Sequence, residues 1–216
     1  LTWQATPRHK VTAFLDDNYH CKCHFGLIRG GADRLEAVPL SKSWNNVYQV
    51  GWTFPATRRL LVQASVALAP APASSDNQPE VIAPPIEDSG LGISYRATDD
   101  PSRTHRADVN TYRGAVSYVT GSHSVKVGTT TVIGTNLRTR TNFDALAYTA
   151  LNGVPTGVTY YRTPFTGRFL IKPNLGLYAQ DQWTVKRLTL NAGLRFDQFD
   201  GHVPATSLSA GRFNPA

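Results

Sequence analysis

Between Asn174 and Phe199 apolar and polar positions alternate with a period of two. Leu188, Leu190, Ala192, Leu194 and Phe196 fall on one face, and Thr189, Asn191, Gly193, Arg195 and Asp197 on the other, which predicts a β-strand with one apolar face. Upstream, Leu175, Leu177 and Ala179 alternate with Gly176, Tyr178, Gln180 and Gln182 before Trp183, so the stretch reads as two strands joined by the turn Thr184-Val185-Lys186-Arg187. The unit recurs along the chain. Leu1–Gln4 reads as a strand end. Lys10–Lys22 has Val11, Ala13, Leu15 and Tyr19 on one side, with Asp17 on the same side and Phe14 opposite. Residues 46–54 set Tyr48, Val50, Trp52 and Phe54 against Val47, Gln49, Gly51 and Thr53, and the next strand sets Leu60, Val62, Ala64, Val66 and Leu68 against Leu61, Gln63, Ser65 and Ala67. Thr111–Val119 and Ser124–Val132 form a further pair.

The connections alternate too. Short turns at 5–9, 55–58, 120–123 and 184–187 take turns with long connections. The first long one, Cys23–Asn45, reads as irregular. The second opens with Ala69–Pro85, a Pro/Ala/Ser tract expected to be a loop because proline has no amide to give a ladder; it continues through a short strand near Gly90–Ala97 and a polar run at Asp99–Asn110. The third covers 133–170, with a small hairpin expected about Asn152-Gly153-Val154-Pro155-Thr156-Gly157. Short turns at one end and long loops at the other fit an up-and-down barrel crossing an outer membrane, whereas long structureless loops are uncommon in compact soluble domains. Trp3, Trp52, Phe54, Tyr118 and Trp183 all stand within a few residues of a short turn, as an aromatic girdle at the membrane interface requires; the alternative is ordinary packing of aromatics in a soluble core.

The expected fold class is therefore all-β, an antiparallel up-and-down transmembrane β-barrel segment of about eight membrane strands with long outer loops and short periplasmic turns. Residues 1–216 are expected to form one partial outer-membrane β-barrel domain, with neither plug domain nor signal peptide. The expected lipid-facing set is Leu60, Val62, Ala64, Val66, Leu68, Leu175, Leu177, Ala179, Leu188, Leu190, Ala192, Leu194 and Phe196. A charge placed near mid-membrane, as in Ala192→Arg, is expected to cost about 2–4 kcal/mol.

Composition narrows the field. Hydrophobic residues make up 41% and mean hydropathy is −0.28, which excludes a helical membrane protein but not a barrel, whose strands are half polar. The net charge of +7 is spread through turns and loops, with no basic helix and no basic–aromatic stacking motif, so nucleic acid is not an expected partner. The chain contains no Met, begins strand-like at Leu1 and shows no signal segment, and is expected to be part of a longer precursor. Two cysteines are too few for a disulfide scaffold.

Leu177-Tyr178-Ala179-Gln180-Asp181-Gln182-Trp183, followed by Arg187-Leu188-Thr189-Leu190-Asn191-Ala192-Gly193-Leu194-Arg195-Phe196-Asp197, resembles a paired-strand segment of the barrels of TonB-dependent outer-membrane receptors, in the branch with an N-terminal carboxypeptidase-regulatory-like domain. Asp16-Asp17 through Cys21-Lys22-Cys23-His24-Phe25-Gly26, and His202-Val203-Pro204-Ala205 through Gly211-Arg212-Phe213, look like the same branch. The resemblance implies a barrel of about twenty-two strands around a plug. It also implies recruitment of TonB by a box at the N-terminus, the bacterial outer membrane as location with its lipid as a partner, and uptake of a scarce nutrient of the siderophore, cobalamin or oligosaccharide class. No plug, no TonB box and no terminal strand ending in an aromatic is found here, so the resemblance is to part of a barrel wall.

Local chemistry is sparse. His20-Cys21-Lys22-Cys23-His24 carries metal-ligand side chains, but in an extended segment the cysteines share one face and the histidines the other, and the spacing is not that of structural zinc sites. A disulfide, local or intermolecular, and unpaired loop cysteines are the other readings. Ser122 and His123 are adjacent in a turn without the elbow that exposes a nucleophile. Asp16-Asp17 and Asp99-Asp100 read as solvated loop acids. Tyr178, Gln180, Gln182, Asn191, Arg195 and Asp197 are expected to face the lumen, and Arg29, Trp44, Tyr160 and Tyr161, in long loops, to be available to a ligand. The expected protein is no enzyme and carries no cofactor. A soluble ligand-binding β-domain and an outer-membrane or secreted hydrolase acting through Ser122 and His123 are the rival readings.

Overall fold

The computed structural model describes residues 1–26, 34–98, 102–207 and 210. In chain order the strands are β1 (Thr2–Thr6), β2 (His9–Lys22), β3 (Leu40–Pro55), β4 (Leu60–Asp76), β5 (Ile86–Asp88), β6 (Ile93–Tyr95), β7 (Ser102–Val119), β8 (His123–Thr141), β9 (Leu146–Leu151), β10 (Val154–Tyr160), β11 (Phe165–Val185), β12 (Leu188–Gln198) and β13 (Gly201–His202). Two single 3-10 turns, Leu35–Ala37 and Phe143–Ala145, are the helical elements among the described residues, and no helix there is long and apolar enough to cross a membrane.

The main sheet runs β1-β2-β3-β4-β7-β8-β11-β12, antiparallel throughout, with β13 added beside β11. Its eight principal strands match the expected number, and β1 and β12 are its open edges. The short turns all lie at one end, because Lys10 pairs Thr53, Leu60 pairs Tyr118, and His123 pairs Trp183. The register is continuous enough to follow one row across seven strands: Val11, Trp52, Ala64, Gly114, Thr129, Leu177 and Phe196. Residues paired across an antiparallel ladder share a face, so the apolar positions of successive strands lie on one side of the sheet. The next row, Lys10, Thr53, Gln63, Ala115, Gly128, Tyr178 and Arg195, lies on the other.

Among the described residues nothing packs on the apolar side. The large side chains there stay open to solvent, with Leu194 85% exposed, Trp3 62% and Phe196 58%, whereas the buried apolar residues are Ala37, Val38, Ala97, Ala147 and Ala150, all outside the main sheet. They belong to the connections and to a second sheet, ordered β10-β9-β5-β6, in which β5 and β9 run parallel. The β9–β10 hairpin turns at Asn152 (φ 52°) and Gly153 (φ 83°), the left-handed pair a tight hairpin favours.

Several expected boundaries are corrected. Ala69–Pro85 is not wholly a loop, since β4 continues to Asp76 and pairs β7 through Pro70 and Pro72. Two residues apart, both prolines leave their missing amide on the same side of the strand. The ladder to β3 is the one that lapses, between the Ser43–Ala73 and Tyr48–Leu68 pairs, and it resumes in unchanged register. The polar run at 99–110 likewise holds strand from Ser102 onward, β3 already begins at Leu40, and the 133–170 excursion contains the end of β8 and the start of β11. The strand expected near Gly90–Ala97 is the β5–β6 hairpin. The turns are also tighter than read, with strands ending at Thr6 and Val185 and restarting at His9 and Leu188. Asp99 and Asp100 lie outside the described residues, as do Arg29 and the family-like ending Gly211-Arg212-Phe213.

Candidate functional site

The two faces of the main sheet differ in chemistry, one apolar and one polar. On the apolar face the expected aromatics gather at the short-turn end, joined by histidines the alternation had not singled out. His9 stacks on Phe54 at 4.5 Å and on Trp52 at 5.8 Å, and Trp52 Nε1 donates to His9 Nδ1 at 3.1 Å. His123 stacks on Trp183 at 5.6 Å and 5°. Trp3 pairs Val11 and Tyr118 pairs Leu60 at the same end. Amphipathic rings of this kind are suited to a boundary between an apolar and a wet phase.

Asp17 and Asp181 stand on the apolar face, and each is held by a side chain of the neighbouring strand. Tyr48 Oη donates to Asp17, and His123 Nδ1 lies 2.6 Å from Asp181 Oδ2. Asp181 sits 58 positions from its histidine, so local pattern could not find the pair; its signal is an acid in the apolar phase of a strand. Asp181 lies directly across from Ala192, which changes the Ala192→Arg expectation, since an arginine there meets a carboxylate. Among the described residues no hydrogen bond joins Ser122 to His123, whose Nδ1 is held by Asp181.

On the polar face Tyr178, Gln180 and Gln182 of β11 stand opposite Arg195, Gly193 and Asn191 of β12. Arg195 forks onto Asp197, with Nε and Nη2 each 2.7 Å from a carboxylate oxygen, and both lie over Gly176, where a Cβ would come 2.6 Å from Nη2. Tyr178 lies over Gly128, where a Cβ would come 2.5 Å from the phenol oxygen. These glycines are spaces that neighbouring side chains fill.

The remaining candidates are dispersed. Cys21 and Cys23 are exposed and unbonded, with Sγ atoms 3.3 Å apart. Their hydrogen bond pushes the Cys23 thiol up, away from the thiolate that binds metals. His20 is on the opposite face from Cys21, and among the described residues no three metal-ligating side chains converge. Asp16 and Asp17 belong to β2, not a loop, and Asp16 accepts from Asn18 Nδ2 at 2.8 Å. Trp44 is likewise a β3 residue, packed on Tyr19 at 4.9 Å; Tyr160 ends β10, and Tyr161 follows it.

One buried carboxylate escaped the sequence reading. Asp88, at the end of β5, accepts from the amides of Gly90, Leu91, Asn152 and Gly153 at 2.6–3.0 Å, tying the β5–β6 turn to the β9–β10 turn. Burial alone would raise its pKa; the four amides outweigh this and hold the carboxyl below its ordinary value.

The family model described as "TonB dependent receptor-like, beta-barrel" matches residues 31–216. No curated protein matches the chain. Among solved structures, the outer membrane transporter YddB from Escherichia coli is similar at 12% identity and a TM-score of 0.44, over 94% of this chain and 34% of that one. The chain thus spans about a third of that transporter's length, from its 34% coverage.

Proposed function

This chain belongs to the TonB dependent receptor-like β-barrel family, and from that premise we propose that its main sheet is part of the wall of a bacterial outer-membrane transporter. The transporter takes up a scarce nutrient of the siderophore, cobalamin or oligosaccharide class and is energised through TonB, which engages the receptor elsewhere than on these strands. Residues 1–216 act as one partial barrel domain. The observation that carries this reading is the apolar face shared by all eight principal strands, on which nothing among the described residues packs. In water such a surface is a liability, while in a bilayer it is the solvent-matched side.

The short-turn end is then periplasmic, and the stacked aromatics there sit at the headgroup level. The long connections and the second sheet stand outside the cell, where a ligand arrives. The polar face, with Tyr178, Gln180, Gln182, Asn191, Arg195 and Asp197, lines the passage. Its work is selective binding and release, so no residue is assigned a catalytic role.

The test is to refold the complete receptor with and without phospholipid vesicles. The expected result is a protease-resistant, heat-modifiable fold only with lipid or detergent. A folded, monodisperse protein in plain buffer would favour the soluble ligand-binding domain, and ester turnover abolished by Ser122→Ala would favour the hydrolase.

A further inference from the structure

All four short turns of the main sheet carry basic residues. They are Arg8 between β1 and β2, Arg58 and Arg59 between β3 and β4, His123 where β8 begins, and Lys186 and Arg187 between β11 and β12. Of the 15 acids in the chain, Asp181 alone lies within five residues of a short turn, and His123 holds it at 2.6 Å. The segregation is written into the sequence, with cations at the turns and carboxylates further along the strands or in the long connections.

The turns form one continuous edge. Thr6 Oγ1 accepts from the amides of Arg8 and His9 at 3.2 and 3.1 Å, and Thr57 Oγ1 from those of Arg59 and Leu60 at 3.1 and 3.0 Å, so two of the turns are closed in the same way. Backbone bonds join neighbouring turns, from Val119 N to Arg59 O at 2.9 Å and from Thr184 N to Ser122 O at 2.8 Å. On this rim Arg8, Arg58, Arg59, Lys186 and Arg187 are exposed, and among the described residues none of the five is in an ion pair.

A separate observation fixes the level of the rim. Immediately inside it, on the apolar face, His9 stacks on Phe54 and Trp52, and His123 stacks on Trp183. Amphipathic rings mark the boundary between hydrocarbon and headgroups, so the turn cations stand at the depth of the headgroup phosphates. An anionic leaflet attracts lysine and arginine held beside that boundary, and a guanidinium fork takes phosphate oxygens two bonds at a time.

We propose that the short-turn rim binds anionic phospholipid headgroups through Arg8, Arg58, Arg59, Lys186 and Arg187, and that the receptor gathers such lipids around its periplasmic edge. This rests on the outer-membrane reading above, which puts the apolar face in lipid and this end at the periplasmic leaflet.

The test titrates the complete receptor, folded in detergent micelles, with dioleoylphosphatidylglycerol and with zwitterionic dioleoylphosphatidylcholine. The anionic lipid binds about tenfold tighter or more, and the preference shrinks as salt is raised. Arg58→Gln/Arg59→Gln and Lys186→Gln/Arg187→Gln each cut the preference about threefold or more, and the four substitutions together bring it below about twofold. Arg58→Lys/Arg59→Lys keeps the charge and most of the preference. Lys42→Gln, at the far end of β3, changes it less than about twofold. Equal affinity for the two lipids, or a preference unchanged in both double Gln variants, overturns the proposal. A polyglutamate peptide that binds through the same residues while the lipids are not distinguished also overturns it, and would assign the rim to an acidic protein. A receptor that inserts into phosphatidylcholine vesicles yet shows no lipid preference sinks this inference alone; one that inserts into no vesicle sinks the outer-membrane reading and this inference with it.

Discussion

The main sheet and the small sheet beside it obey different rules. In the small sheet Ala147, Ala150 and Asp88 are buried, Ala37, Val38 and Ala97 in the adjoining connections are buried too, and the carboxylate is satisfied by four amides. That is the ordinary logic of a protein in water, with apolar surface inward and every buried polar group paired. The main sheet has no interior of its own. It is a single layer of long strands, held by backbone ladders, with one apolar and one polar face. The difference teaches that the large sheet is completed by its surroundings, and the small one by itself.

Consecutive residues of β8 give the sharpest way to break this contrast, since Val127 lies on the apolar face and Gly128 on the polar one. Val127→Arg should cost about 2–4 kcal/mol in bilayer refolding, while Val127→Leu should cost little. Equal stability of Val127→Arg and parent would mean that the face does not meet lipid. Gly128→Ala should cost about 1–3 kcal/mol for the opposite reason, bulk instead of charge, because its Cβ meets both Tyr178 Oη at 2.5 Å and the Gly114 carbonyl at 2.8 Å. Substituting Tyr178→Ala in the same chain should recover much of that loss. Ala192→Arg should be milder, about 0–1 kcal/mol, since it lies near the Trp183 level and across from Asp181. Asp181→Asn should raise that cost.

The small sheet should answer to other perturbations. Asp88→Ala should lower hydrogen-exchange protection at Gly90, Leu91, Asn152 and Gly153 without changing protection in β7 or β8. The smallest expected effect is that of acid. Asp88 titrates below its ordinary 3.8 when folded, so its clamp is at full strength above that value and is lost as the pH falls through the lower, folded value. Protection factors at the four amides, corrected for intrinsic exchange, should drop only in strong acid; loss beginning near neutrality would assign the clamp to another group.

Strand identity was legible wherever one face is apolar, as in β2 and β12, because alternation is what a half-wet strand imposes on a sequence. It failed at Ser102–Asn110 and at Leu40–Asn45, where both faces are polar or mixed and the period disappears although the ladder continues. Proline misled at 70 and 72 because a missing donor forbids a ladder on one side of a strand only. The aromatics near the short turns were visible as spacing, yet the His9 and His123 stacks depend on pairing across strands. Asp88 was invisible for a similar reason, since two of its four donors lie more than sixty positions away.

The break in the ladder beside Pro70 and Pro72 has a mechanical corollary. Over Trp44–Val47 the two neighbouring strands run side by side without bridging pairs, so solvent can wedge between them, and that span is where the wall should flex first under strain. A pull applied from the outer loops would therefore be absorbed there, leaving the belt nearer the short turns undisturbed.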